Sequence, residues 1–218
     1  MNHKDNILVY AFIGIGYLLF CSAIPSMIAI QCSVMTGGDI NGFYLFLSFV
    51  TGIIYVKIIF SIMKERVDLF AGFSLKGILE AIVTALLLFF VINFVVSPAL
   101  SILFPTSAGN YDVSMTDMMS TPIATFFQVA VVAPLFEELI FRGLIMKRAL
   151  RKWSAPAAVV MTAFLFGLLH LSIVQGLSAA AAGILLCTFY ERRRSVGLNI
   201  LAHGIYNSMV FGLAMLIY

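Results

Sequence analysis

Charge is what this sequence has least of. Lysine and arginine together number 13 and aspartate and glutamate 10, so 11% of the 218 residues are charged, against about 25% in a soluble domain. With 62% hydrophobic residues and a mean hydropathy of +1.07, the apolar surface exceeds what a soluble interior of this size can hide. Lipid must be part of the solvent. Cysteine is scarce too: Cys21, Cys32 and Cys187 stand apart, without CxxC or zinc-ribbon spacing. That leaves disulfides and a structural metal site without support, and the three read as small apolar filler. There is no His-Glu-x-x-His, no Gly-x-Ser-x-Gly and no Gly-Lys-Ser/Thr, so zincin, serine hydrolase and P-loop readings have no signal. A continuous basic face is also missing. The net charge of +3 and pI near 8.8 come from short clusters between apolar runs, a pattern of membrane orientation and not of nucleic-acid binding. Internal repeats, low-complexity tracts and soluble domains beyond the loops are absent.

What is present is a series of apolar runs: Ile7–Ile30, Phe43–Met63, Gly77–Leu103, Thr121–Met146, Ala155–Leu171, Gly176–Tyr190 and Val196–Tyr218. Roughly 20 residues at a 1.5 Å rise span the hydrocarbon, which most of these reach. The reading is an all-α polytopic bundle of about seven transmembrane helices. The two runs from Ala155 and Gly176 are short, and read as tilted, partly re-entrant or paired as a hairpin. Ile7–Ile30 exceeds a signal-peptide core, and Phe20 before Cys21 fails as a lipoprotein site, so the first run reads as a retained helix with Pro25 near its far end. Lys4, then Lys64, Arg66 and Lys76, then Lys147, Arg148, Arg151 and Lys152, then Arg192, Arg193 and Arg194 fall on alternate connections. The intervening connections Gln31–Gly42, Pro105–Ser120 and Ser172–Gln175 hold only Asp39, Asp112 and Asp117 as charges. The N-terminus is then inside and the C-terminus outside. Lys57 and Glu80 read as boundary residues near the inner surface, Lys57 snorkelling to the interface.

Chemistry concentrates in the fourth run, Pro134-Leu135-Phe136-Glu137-Glu138-Leu139-Ile140-Phe141-Arg142. Charges in lipid cost a few kcal/mol each on insertion scales, so such residues face a polar interior. Glu138 and Arg142 are i, i+4 and share a helical face. Glu137 is rotated by about 100° and left free, which makes it the better candidate for proton transfer. Pro134 cannot donate to the helix ladder, so the turn before Glu137 is expected to open or kink. Later runs bring His170, with Phe166 one turn before it, and His203 and Asn207 on one face, roughly 6 Å apart, with Gly204 leaving room between them. Singly, each of these has a structural reading: an intramembrane ion pair, an interfacial histidine, hydrogen-bonded helix glue. Together, Glu137, His170, His203 and Asn207 suffice for peptide hydrolysis with or without a metal.

The ordered set Glu137-Glu138-x-x-x-Arg142, Phe166-x-x-x-His170 and His203-x-x-x-Asn207 resembles the three motifs of the CAAX-protease and bacteriocin-processing (Abi, type II CAAX prenyl endopeptidase-like) intramembrane proteases. Tyr190-Glu191-Arg192-Arg193-Arg194-Ser195 and Ile200-Leu201-Ala202-His203 are similar to that family's approach to its last motif. The likeness covers Thr121–Val210; the first three runs match as generic helices. It implies an intramembrane endopeptidase in a bacterial cell membrane, with a four-helix catalytic core at 121–218 preceded by three helices at 1–120. Its substrate would be a membrane-associated peptide or a lipid-modified protein. By motif position, Glu137 and His170 would activate water, His203 and Asn207 would stabilise the oxyanion, and Glu138 and Arg142 would shape the site. The family has been described both as zinc-dependent and as metal-free; a Zn2+ ion would take Glu137, His170 and His203 as ligands and leave an open position for water.

Two other readings stand beside it: a non-catalytic membrane partner in bacteriocin self-immunity or signalling, and a proton or ion pathway through Glu137, Glu138 and the histidines. Repeat symmetry and paired broken helices, which a transporter would carry, are absent. Counted from the inner boundary, Glu137 and His203 lie roughly 12–15 Å deep but His170 nearer 24 Å, so convergence asks for a tilt, a lower start or a re-entrant turn in the fifth helix. The depth of the glutamates also leads to the expectation that substrate arrives from the cytoplasmic side.

Overall fold

In a computed structural model of the chain, residues 6–170 and 172–217 are described, and all their regular structure is helical. Lys4, Leu171 and Tyr218, which bear on the loop count and on two run boundaries, lie outside the described residues. Helix α1 is Ile7–Thr36, α2 Ile40–Met63 and α3 Leu75–Leu103. A short helix α4, Pro105–Met118, leads into α5, which runs over 122–149 in consecutive segments. Then come α6, Ala155–Leu168, α7, Ile173–Arg193, and α8, Val196–Ile217. Five of these, α1, α2, α3, α7 and α8, are long and apolar enough to cross a membrane. The other two expected spans correspond to the 14-residue α6 and to α5, the helix that carries the buried charges. The stretch 105–118, expected as a loop, is wound into α4.

Three of the long helices widen just before a proline. The turns Leu19–Ala23, Ile92–Val96 and Gln128–Val132 are π-helical, and Pro25, Pro98 and Pro134 follow each by two residues. Proline has no N–H to give and its ring collides with the carbonyl four residues back, so an i→i+5 turn lets the helix continue past it. Pro25 therefore lies mid-helix in α1, not near its end. The expected opening before Glu137 is the π turn ahead of Pro134.

α5 is the central element. Ile140 through Met146 are all buried, the mark of a helix enclosed on every side. Around it one core joins Tyr10 and Ile13 of α1, Met63, Phe166 of α6, Tyr190 of α7 and Val196. A second core packs Ala81 and Leu88 of α3 against Leu186 of α7 and Leu198 and Ala202 of α8. α6 and α7 form a close hairpin. A Cβ at Gly167 would come within 2.6 Å of the Gly176 carbonyl oxygen and 2.8 Å of Ala180 Cβ, so glycine sets the approach of the two backbones. Outward faces of α1 to α3 expose large apolar side chains such as Phe12, Phe46, Ile58, Leu87 and Phe94, which suits lipid.

The basic connections gather at one end of the bundle. Glu65, after α2, receives Lys147 Nζ at 3.0 Å, Arg148 Nη1 at 2.9 Å and Arg151 Nη1 at 2.6 Å. Burial pushes the Glu65 carboxyl up, but hydrogen bonds from Arg151 and Lys147 and their charges outweigh it and bring it from 4.5 down to about 2. Arg193 at the end of α7 pairs with Glu80 near the start of α3. At the opposite end, Asn41 donates to Thr121 Oγ1 at 2.5 Å, and the hydroxyls of Ser107 and Ser172 lie 2.9 Å apart. The connections that hold no Lys or Arg are thus brought together as well.

Candidate active site

The two glutamates of α5 part company as helical phase requires. Glu138 accepts a hydrogen bond from Arg142 Nη1 at 2.8 Å, both side chains fully enclosed. Arg142 also donates to the Gly183 carbonyl at 3.4 Å, faces the Cys187 thiol, and lays its guanidinium over the Phe166 ring, 4.8 Å from the centroid. Glu137 points elsewhere, to a cavity of about 300 Å³, and is the one carboxylate among the residues that line it.

His203 connects the two. Its Nδ1 lies 2.9 Å from Glu138 Oε1 and its Nε2 3.9 Å from Glu137 Oε2. A carboxylate already engaged by a guanidinium is an acceptor, so Nδ1 is the donor, and Nε2 is the ring atom presented to Glu137. Arg142, Glu138, His203 and Glu137 therefore form a continuous polar chain through an apolar core. The sequence paired Glu138 with Arg142 but did not show that Glu138 also orients His203.

Asn207 shares the His203 face as expected, and its Nδ2 donates to the Val129 carbonyl at 2.7 Å. Within the π turn, the Ala133 N–H reaches back to the Gln128 oxygen, and Pro134, next in line, has no N–H. The Val129 carbonyl thus lacks the backbone donor it would have in an unbroken helix, and a buried acceptor in that state needs a partner. Asn207 supplies it. The room left by Gly204 is used by a backbone: a Cβ there would come within 2.9 Å of the Ala130 carbonyl oxygen.

His170 follows the end of α6, with Nδ1 3.1 Å from the Phe166 carbonyl oxygen. The Phe166 ring meets the imidazoles of His170 and His203 edge-on, centroids 5.2 and 6.1 Å away, so one aromatic spaces both histidines. The structure brings Glu137 and His170 to the same cavity. His203 and Asn207 are not among the lining residues.

Much of the remaining wall comes from outside the motifs. Tyr17, Leu18, Cys21 and Ser22 of α1 and Tyr44 of α2 line the cavity, with Gln128 and Gln175. Tyr17 turns its hydroxyl to Glu137, and Tyr44 donates to Ser22 Oγ at 3.4 Å. The sequence signal for these was faint: hydroxyl and amide side chains inside apolar runs, each needing a polar neighbour, with nothing to say which. The expectation of entry from the cytoplasmic side meets a different geometry. Tyr44, Gln128 and Gln175 each stand within roughly 3–9 Å of the start of their helix at the Lys- and Arg-poor end, whereas α5 toward the basic end is packed solid from Ile140 to Met146.

Glu137, His170 and His203 do not converge as a ligand set: among the described residues no three His, Cys, Asp or Glu side chains form a group that could hold a metal ion. His170 uses Nδ1 on a carbonyl and His203 uses Nδ1 on Glu138, so each could offer only Nε2.

Compared with known proteins, residues 119–209 match the family model of the Rce1-like type II CAAX prenyl endopeptidases, within two residues at either end of the stretch Thr121–Val210 over which the sequence shows the resemblance. No curated protein and no solved structure matches the chain.

Proposed function

We propose, from the premise that residues 119–209 form an Rce1-like type II CAAX prenyl endopeptidase domain, that the protein is an intramembrane endopeptidase that hydrolyses a peptide bond with water activated by Glu137. The observation that carries this is the placement of Glu137 as the one carboxylate on the cavity wall, with His203 Nε2 3.9 Å behind it. A peptide carbonyl entering the cavity meets a water held between Glu137 and His170. Glu137 removes a proton as the water oxygen attacks the carbonyl carbon, and the same proton is delivered to the departing amine as the C–N bond breaks. His203, oriented by the Glu138 carboxylate through Nδ1, shares that proton through Nε2, much as a carboxylate fixes the base of a catalytic triad. Arg142 donates to Glu138 and holds that carboxylate in position, and its guanidinium over Phe166 holds the aromatic spacer in place.

The oxyanion roles implied for His203 and Asn207 ask for more. Neither lines the cavity, and a substrate oxygen would have to draw the Asn207 amide away from Val129. Tyr17 is a hydroxyl donor already on the cavity wall, and would have only to turn from Glu137 to reach a substrate oxygen.

The test is hydrolysis of quenched fluorescent peptides by the purified protein in lipid nanodiscs. Glu137→Gln and His170→Ala should each abolish product release while the protein remains folded. Normal cleavage by Glu137→Gln sinks the proposal, and cleavage of nothing by the wild type, with all motif variants keeping a cellular phenotype, favours a non-catalytic membrane partner.

A further inference from the structure

We propose that the cavity is entered from the Lys- and Arg-poor end of the bundle, the face turned away from the cytoplasm, so that the substrate is a peptide presented at that membrane surface. The proposal rests on the hydrolase reading for what happens to the peptide, but not for the route by which it arrives.

Three independent features point the same way. The first is where the polar wall lies. The lining that includes Glu137 also includes Tyr44, Gln128 and Gln175, each near the start of its helix at the Lys- and Arg-poor end, and Gln175, two residues into α7, is exposed. A peptide backbone carries a donor and an acceptor at nearly every residue and needs such partners along its path.

The second is closure at the other end. Beyond Glu137, α5 is enclosed by Met63, Tyr190 and Val196, and the connection after it is tied down by the Glu65 ion pairs with Lys147, Arg148 and Arg151. The loop after α2 lies over the start of α8, since a Cβ at Gly197 would run into the Leu69 carbonyl. A substrate from that side would have to part both a packed core and a partly exposed ion-pair cluster.

The third is orientation. The cavity's outer residues belong to α2, α5 and α7 where each begins after a connection free of Lys and Arg. Connections rich in these residues stay in the cytoplasm. A cytoplasmic protein's C-terminal peptide would therefore meet the sealed end, whereas an exported peptide, or the outward end of a membrane-spanning segment, would meet the open one.

The experiment reads access without needing catalysis. Gln175→Cys, at the mouth, and Arg66→Cys, at the sealed end, are each placed in the full chain carrying Cys32→Ala and, because Cys21 lines the cavity, Cys21→Ala; Cys187 is buried. Cells are treated with a membrane-impermeant maleimide before or after permeabilisation. Gln175→Cys should be labelled fully in intact cells with no gain on permeabilisation, and Arg66→Cys only after it. Labelling of Gln175→Cys only after permeabilisation, or under neither condition, overturns the proposal. In protein that cleaves, a bulky maleimide on Gln175→Cys should block hydrolysis relative to the same variant unlabelled; unchanged hydrolysis also overturns it. A protein that cleaves nothing yet labels as expected refutes the hydrolase reading and leaves the entry route standing.

Discussion

The sharpest consequence of the polar chain concerns Glu138 and Arg142. Both are fully enclosed and share one hydrogen bond of 2.8 Å, while Glu138 Oε2 and Arg142 Nε have no hydrogen-bond partner among the described residues. Each such orphan costs about 1–3 kcal/mol, so the pair is expected to contribute little net stability. Removing one partner is another matter, because it strands the other charge; that costs about 3–5 kcal/mol. Glu138→Gln and Arg142→Met should therefore each destabilise the fold by that amount. The double variant should return to within about 1 kcal/mol of wild type, since replacing a whole buried pair by uncharged side chains of similar volume is often neutral. Reversible unfolding in mixed micelles measures all four corners of the cycle. The double variant should nonetheless cleave no peptide, because His203 has lost the carboxylate that orients it. Two single losses that simply add would refute the account of the pair, and full activity in the double variant would refute the orienting role.

Other outcomes follow from the same geometry. Glu65 has its carboxyl lowered from 4.5 to about 2, so its stabilisation is present above about pH 4.5 and is lost as pH falls toward 2. The shift corresponds to at most about 3 kcal/mol, and about 1–2 kcal/mol after screening of its partners; Glu65→Gln should lower the melting temperature at pH 7 and flatten the acid limb of the melting curve. Gly167→Ala forces α6 from α7 and should cost about 1–3 kcal/mol, with a larger fractional loss of cleavage than a comparable lesion in α3, because His170 moves with α6; equal losses would count against that coupling. Dialysis against a chelator should leave peptide release unchanged, since the three candidate ligands do not form a metal site; loss restored by added Zn2+ would refute this.

Helix positions, the Glu138–Arg142 pair and the packing of Phe166 on His170 were legible because they depend on local periodicity. The i, i+4 rule reports who shares a face, and apolar run length reports what can cross lipid. Contacts between distant segments obey no such rule. That Glu138 would take His203 as a second partner, that Tyr17 would face Glu137, or that Cys187 would sit against Arg142 depends on how α1, α7 and α8 rotate about α5, and many rotations bury similar apolar area. Counting residues from the basic connections locates Glu137 along α5 but not the side from which it is reached, which is decided by where packing stops. Pro25 was read as an end signal because proline breaks an α-helix; the π turn ahead of it was the alternative.

Pro134 belongs to none of the three motifs, yet it governs what one of them can do. By withholding an N–H from the Val129 carbonyl it creates the demand that the Asn207 amide fills. The two positions are therefore expected to covary: a relative with another residue in place of Pro134 could satisfy that carbonyl from its own backbone, leaving the asparagine free for a substrate or free to be replaced. A motif written as His-x-x-x-Asn is thus incomplete as a signature, because its last letter is interpreted by a residue 73 positions earlier in the chain.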